Sequence, residues 1–198
     1  MRIGILGTGV LASALATGWS RAGHDITIGG RSPEKAAAIA DAVGGTVSPV
    51  PEVAAEADAV LLAVSWTGVT QTLRAAGPLD GVPLIDPTNA VEHGVGFLQA
   101  SPAEHIAALV PGAHVVKAFH LFPAGLWTEP GTDKATVAMC GDDQRALRMV
   151  GTLITDVGGT PVVLGGLDRA RQLEEVAGFV IGLAFSGIDP RSAVPSVS

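Results

Sequence analysis

The 198-residue chain has no tyrosine and one cysteine, Cys140. Without tyrosine, the Tyr/Lys proton relay used for carbonyl reduction by short-chain dehydrogenases is impossible. With a single thiol there is no internal disulfide and no cysteine cage for zinc, which points to a reducing, cytoplasmic compartment. Charge is scarce as well. Charged residues are 16% of the chain against 47% hydrophobic, a balance that favours a well-buried α/β body over a disordered one. The formal net charge of −7 argues against nucleic acid and anionic membrane as partners, while leaving room for a local basic pocket. A spanning helix needs roughly twenty apolar residues, and the segment Val176 to Phe185 supplies about half that, so it reads as a core helix. The N-terminus imitates a secretory signal, with Arg2, an apolar run and Ala14-Leu15-Ala16. Glycines at 4, 7 and 9 break that run at the spacing a phosphate-binding turn requires, and the signal reading is set aside.

What is present begins with that turn. A strand-like run, Arg2 to Leu6, leads into Gly7-Thr8-Gly9-Val10-Leu11-Ala12 and then an Ala/Leu-rich segment ending at Arg21-Ala22-Gly23. This is G-x-G-x-x-A. The first glycine permits the tight turn, the second lets a pyrophosphate approach the backbone, and the small third residue lets helix pack on strand. The amides of the following helix face the phosphates. The next strand, Asp25 to Gly29, selects the dinucleotide, because an NAD site places a carboxylate at its C-terminal end. None is there. Instead Gly29-Gly30-Arg31-Ser32-Pro33-Glu34-Lys35 gathers a guanidinium, a hydroxyl and an ammonium, a site for a 2′-phosphate. The expected dinucleotide is NADP(H). Asp25 opens the strand, at the wrong edge of the sheet for an NAD ribose.

The alternation continues, predicting a Rossmann-like, doubly wound parallel sheet. A helix starts at Pro33 and ends at Gly44-Gly45, residues 46–48 form a short strand and 51–57 a brief helix. Residues 59–64 are continuously apolar, as in a parallel strand covered on both faces. Beyond its end, Val64, Ser65, Trp66 and Thr67 should face the cofactor. The strand 82–85 ends in Asp86-Pro87-Thr88-Asn89, where Thr88 and Asn89 either reach the nicotinamide ribose or carboxamide or serve a local turn. Residues 92–99 read as a loop bordering the site, and Ser101 caps a helix over 102–109. The strand 114–119 runs into His120-Leu121-Phe122-Pro123-Ala124 at the functional edge. A Gly/Pro/charge-rich stretch at 128–134 suggests a boundary between a dinucleotide-binding domain, 1–127, and a small C-terminal α/β portion, 128–188, closing the hydride-acceptor cleft. That portion reads strand 135–140, helix 144–157, strand 160–164, helix 168–185. The tail 189–198 reads as flexible.

His120 is the one well-placed group for proton or hydrogen-bond chemistry. It either binds a ring carbonyl or protonates a product nitrogen. His24, His93, His105 and His114 show no metal-ligand spacing, no metal is expected, and Cys140 reads as a small buried apolar group. What remains is hydride transfer between two rings held face to face, where orientation supplies most of the acceleration.

The chain resembles the family of coenzyme F420-dependent NADP oxidoreductases, which exchange hydride between NADP(H) and a 5-deazaflavin. The resemblance rests on residues 3–9, Gly29 to Lys35, Trp66, Val116-Lys117-Ala118-Phe119-His120 with Pro123-Ala124, Gly141-Asp142-Asp143, and Gly165-Gly166-Leu167 with Ala170-Arg171. It implies that Thr8 to Leu11, Arg31, Ser32 and Lys35 hold NADP phosphates. It implies that His120, Leu121, Phe122, Pro123 and Ala124 line the place where nicotinamide meets F420, and that the protein is a homodimer. The bulk of Phe122 and Trp127 suggests that the hydride acceptor could differ, and two other readings stay open. One is an NADPH-dependent reductase of an imine, flavin or ferric chelate; the other is a non-catalytic NADP(H)-sensing module.

Overall fold

Alternate strand residues reach opposite faces of one sheet, and in the central strands most of them are apolar on both. In the computed structural model, which describes residues 1–92, 95–96, 98–128 and 135–195, the order begins β1 (Arg2–Leu6), α1 (Val10–Arg21), β2 (Asp25–Gly29), α2 (Pro33–Val43), β3 (Thr46–Val47), α3 (Val50–Ala55). It continues β4 (Ala59–Leu62), α4 (Val69–Ala76), β5 (Pro83–Asp86), α5 (Pro102–Leu109), β6 (His114–Lys117), β7 (Thr136–Gly141), α6 (Gln144–Asp156), β8 (Thr160–Gly165), α7 (Ala170–Phe185). Ile3 and Ile5 of β1, with Leu61 of β4, pack under α1, α2 and α6; Leu6, Val60 and Leu62 pack on the other face with Val53, Leu73 and Ile106 from α3, α4 and α5. Trp19 of α1 is fully buried and its indole N–H donates to the Leu153 carbonyl of α6 at 2.9 Å. Burying a side chain of that size removes some 200 Å² from water, about 5 kcal/mol at the usual coefficient.

The strands form one eight-stranded sheet, β3-β2-β1-β4-β5-β6-β7-β8, parallel except for the β6–β7 pair. The strand order reverses between β1 and β4, so a crevice opens beyond their C-terminal ends, where α/β sheets bind ligands. Residues expected to build a separate C-terminal portion add β7 and β8 to this same sheet, with Lys117 opposite Cys140. Most of the stretch expected to mark the boundary, 129–134, lies outside the described residues.

Three elements differ from the sequence pattern. The strand expected over 59–64 closes at Leu62, and that over 114–119 closes at Lys117 because Phe119 adopts a left-handed conformation, φ 61°. Helix α4 has no counterpart in the sequence expectation. Its buried stripe is only Val69, Leu73 and Ala76, and the polar residues between them hide the period. Of the predicted loop 92–99, His93, Gly94 and Phe97 lie outside the described residues; Val91 and Leu98 close it with an antiparallel bridge, and Gly96 lies directly on Gly178 and Gly182 of α7. In the tail, residues 190–193 form an exposed 3-10 turn capped by Asp189. Among the described residues no helix is long and apolar enough to cross a membrane, and no group of acidic, histidine or cysteine side chains is disposed to hold a metal ion.

Candidate functional site

The turn between β1 and α1 is fixed by its glycines. The Gly7 amide donates to the Gly29 carbonyl at 2.8 Å, joining the ends of β1 and β2, and Gly7 sits at φ 131°. A Cβ there would lie 2.0 Å from the Ala63 carbonyl oxygen, so no other residue fits. Gly9 is different. It is extended, and a Cβ on it would meet nothing within 4 Å, so the space above it is open. Helix α1 starts at that point with no capping side chain and no acidic residue in its first turn. Its leading N–H groups and positive dipole end are left for an anion.

A cleft of about 500 Å³ opens there, lined by Gly7, Thr8, Gly9, Arg31, Ser32, Lys35, Val64 and Ser65, with Gln71, Thr72 and Ala75 from α4 closing its rim. Ser32 caps α2, its hydroxyl accepting from the Lys35 amide at 3.4 Å. That leaves the hydroxyl proton to donate elsewhere. Arg31 and Lys35 are exposed and enter no ion pair among the described residues. Uncapped amides, an open glycine and two uncommitted cations fit a dinucleotide bearing a 2′-phosphate. Asp25 lies opposite Arg2, at the far edge of the sheet.

Not every predicted contact lines this cleft. Val10 is exposed beside it and Leu11 turns partly into the core, so both offer backbone rather than side chain. Trp66 packs edge-on against His105 at 5.2 Å, and Ala124 packs against the core under α1.

The second expected group, at the end of β6, meets α7. His120, Leu121 and Phe122 line a mostly apolar pocket of about 250 Å³, with Val137 and Ala138 of β7 and Gln172, Leu173 and Val176 of α7. Pro123 is exposed and does not line it. Phe119, left-handed and wedged edge-on between Trp19 and Trp127, turns the chain so that His120 follows. His120 is buried, and among the described residues its Nδ1 has no hydrogen-bond partner. Asn89 Nδ2 donates to the His120 carbonyl at 2.7 Å, while Asn89 Oδ1 finds no partner among the described residues. Thr88 is committed locally, its hydroxyl donating to Asp86 at 2.6 Å.

Burial pushes the His120 imidazole from its ordinary 6.5 down to about 3; the nearby Lys117 ammonium adds to the effect and a backbone hydrogen bond with Leu173 opposes it. The ring is neutral at pH 7. In that state the ring has one N–H, and with it directed at the Leu173 backbone the open Nδ1 is an acceptor, suited to an N–H partner rather than to the ring carbonyl or the proton donation expected from the sequence. The unfolded chain takes up this proton near 6.5 and the folded chain does not until about 3. The stability tied to the neutral ring is therefore complete above 6.5 and is lost as pH falls from 6.5 towards 3, at no more than ~1.4 kcal/mol per pH unit. Urea titrations from pH 7 to 4 should show a shallower acid decline for His120→Gln than for the parent; equal slopes would assign the decline to other groups.

Close to His120 lies a cluster of charges to which the sequence reading gave no role. Lys117 Nζ donates to Asp86 Oδ2 at 3.0 Å, to the Thr88 carbonyl, and pairs with Glu174 Oε1 at 2.9 Å. All three side chains are fully buried. The signal was available: a lysine closes an apolar strand, and an aspartate ends the strand before it.

Residues 2–90 match the family described as NADP oxidoreductase, coenzyme F420-dependent. The chain is 27% identical to the F420-dependent NADP reductase of Methanothermobacter thermautotrophicus over 92% of its own length and 89% of that protein. It is 30% identical to the metalloreductase STEAP3 of Rattus norvegicus over 88% of its length, and spans about a third of that metalloreductase (36%). A crystal structure of a putative F420-dependent NADP reductase from Arthrobacter sp. FB24 superposes with a TM-score of 0.83 at 27% identity, covering 96% of each chain.

Proposed function

We propose, from the match of residues 2–90 to the F420-dependent NADP oxidoreductase family, that the chain is an NADP-dependent oxidoreductase exchanging hydride between NADP(H) and coenzyme F420. The observation that carries this reading is the pairing of two sites on one sheet edge. A dinucleotide cleft with uncommitted cations opens beyond β1, β2 and β4, and an apolar pocket holding a neutral, half-partnered histidine lies beyond β6.

When bound, the nicotinamide supplies or accepts the hydride. The chain's own part is placement. The first turn of α1 and Arg31, Ser32 and Lys35 fix the phosphates. The open Nδ1 of the neutral His120 ring accepts from an N–H of the acceptor ring or of the carboxamide. Phe122, Leu173 and Val176 give the pocket apolar walls that disfavour water. Pre-orientation of two rings needs no acid stronger than a neutral imidazole. In this reading the protein is a homodimer, which light scattering checks.

A second reading has its own support. The 30% identity to a metalloreductase spans most of this chain, and among the described residues the pocket presents no cation to attract the anionic tail of F420. The acceptor would then be a flavin or a ferric chelate; an imine belongs to the same class of reaction. Loss of NADPH absorbance, followed with oxidised F420, with FMN and FAD, with ferric citrate and with a cyclic imine, separates these. Turnover with F420 at least about tenfold above every other acceptor is the expected result. Faster flavin or ferric reduction selects the second reading, and tight NADPH binding without any turnover leaves a sensing module.

A further inference from the structure

The ammonium of Lys117, on β6, gathers partners from two other parts of the chain, the turn at 86–88 and helix α7, and both reach His120 or the pocket it lines. Asp86 ends β5; its Oδ1 accepts from the Thr88 amide at 2.8 Å and from the Thr88 hydroxyl, fixing the turn that aims Asn89 at the His120 carbonyl. Glu174 lies on α7 beside Leu173, which lines the pocket and bonds the imidazole, and its Oε1 also accepts from the Ala103 amide at the start of α5. Lys117 itself stands three residues before His120, separated from it by the left-handed Phe119. One charged group thus joins β5, β6 and α7 below the pocket floor.

Stability does not account for such a cluster. Two carboxylates and an ammonium with no exposure lose their hydration, and apolar residues of the same volume generally hold a core as well or better. What an ion cluster adds is geometry: an apolar side chain can slide along its neighbours, whereas an ammonium with three named acceptors has one arrangement.

We propose that Lys117 is a positioning residue for hydride transfer, its ammonium locking the 86–89 turn, the strand end bearing His120 and the facing turn of α7 into the arrangement that sets the His120 imidazole. The proposal rests on the oxidoreductase reading above, and its test includes a measurement that needs no turnover. Lys117→Met alone strands two buried carboxylates and reports on folding. The informative variant is Lys117→Met/Asp86→Asn/Glu174→Gln, which removes all three charges at nearly constant volume.

Three readouts are compared with the parent: the ring signals of His120 in ¹⁵N-histidine spectra, assigned by their loss in His120→Gln; NADPH affinity by calorimetry; and kcat and KM with whichever acceptor turns over. In the triple variant the His120 signals are expected to move from a single neutral tautomer towards the averaged values of a mobile ring. NADPH affinity stays within about twofold, since Arg31 and the α1 turn are untouched, and kcat falls at least about tenfold. Unchanged His120 signals overturn the proposal whether or not NADPH affinity falls, and so does a kcat within about twofold of the parent. Should the triple variant not fold, Glu174→Gln, which keeps shape and removes only the α7 arm, is read by the same spectra: displaced His120 signals support the proposal and identical ones contradict it. If no acceptor turns over in the parent, the spectra still decide, so failure of the oxidoreductase reading is distinguishable from failure of this one.

Discussion

Replacing Arg31 with alanine should weaken NADPH binding about 10- to 100-fold and leave NADH binding within about twofold. The guanidinium stands beyond the C-terminal end of β2, in the cleft with Ser32 and Lys35, and has no carboxylate partner among the described residues. A charge-assisted hydrogen bond to phosphate contributes ~1.5–3 kcal/mol, which converts to that range of affinities. The 2′-hydroxyl of NADH offers no such charge, so the same substitution removes little from it. Because Arg31 is exposed, the NADPH effect should shrink as salt is raised from 50 to 500 mM. Fluorescence titration with both dinucleotides at two ionic strengths checks all three statements. Equal loss for both would mean that Arg31 contacts a part the two share.

The glycine turn yields the other large effect, and it separates fold from ligand. Gly9→Ala should leave the melting temperature of the free protein nearly unchanged, because the backbone there is extended and the added methyl meets nothing within 4 Å. Even so, it should lower NADPH affinity by about 100-fold or more, since the methyl occupies the space through which a pyrophosphate reaches the amides. Gly7→Ala should do the reverse in kind. Its Cβ would collide with the Ala63 carbonyl at 2.0 Å in a left-handed conformation, so the β1–β4 junction must shift, at a cost of ~3 kcal/mol or more. Thermal melts and NADPH titrations of the two variants side by side provide the comparison. A Gly9→Ala protein that binds NADPH normally would place the phosphates elsewhere.

That contrast also explains what could be read from the sequence. Dinucleotide recognition is local: the turn, the uncapped helix and the Arg31 cluster fall within the first thirty-five residues, and the spacing of glycines and the missing carboxylate carry their own physical meaning. Ser101 and Gly44 set helix ends where expected for the same reason. The pocket half was less legible. Strand–helix alternation suggests parallel pairing throughout, yet β7 runs antiparallel to β6. A parallel neighbour needs a crossover of a dozen or more residues, usually helical, and the described residues between them form only a 3-10 turn, Ala124–Trp127. Reversing β7 brings Val137 and Ala138 against His120, a contact that periodicity cannot reveal.

Helix α4 escaped because only three of its eight residues are buried. Lys117, Asp86 and Glu174 escaped for a different reason. Each alone resembles an ordinary solvated charge, and only the sheet register and the docking of α7 show that all three are buried together.

The account depends most directly on the phosphate cradle, and calorimetry of the unmodified protein with NADPH and NADH tests it. The result predicted is micromolar NADPH binding at one site per chain, with NADH at least about 30-fold weaker at 50 mM salt. Equal affinity for the two, or no heat with NADPH at millimolar concentration, would contradict it.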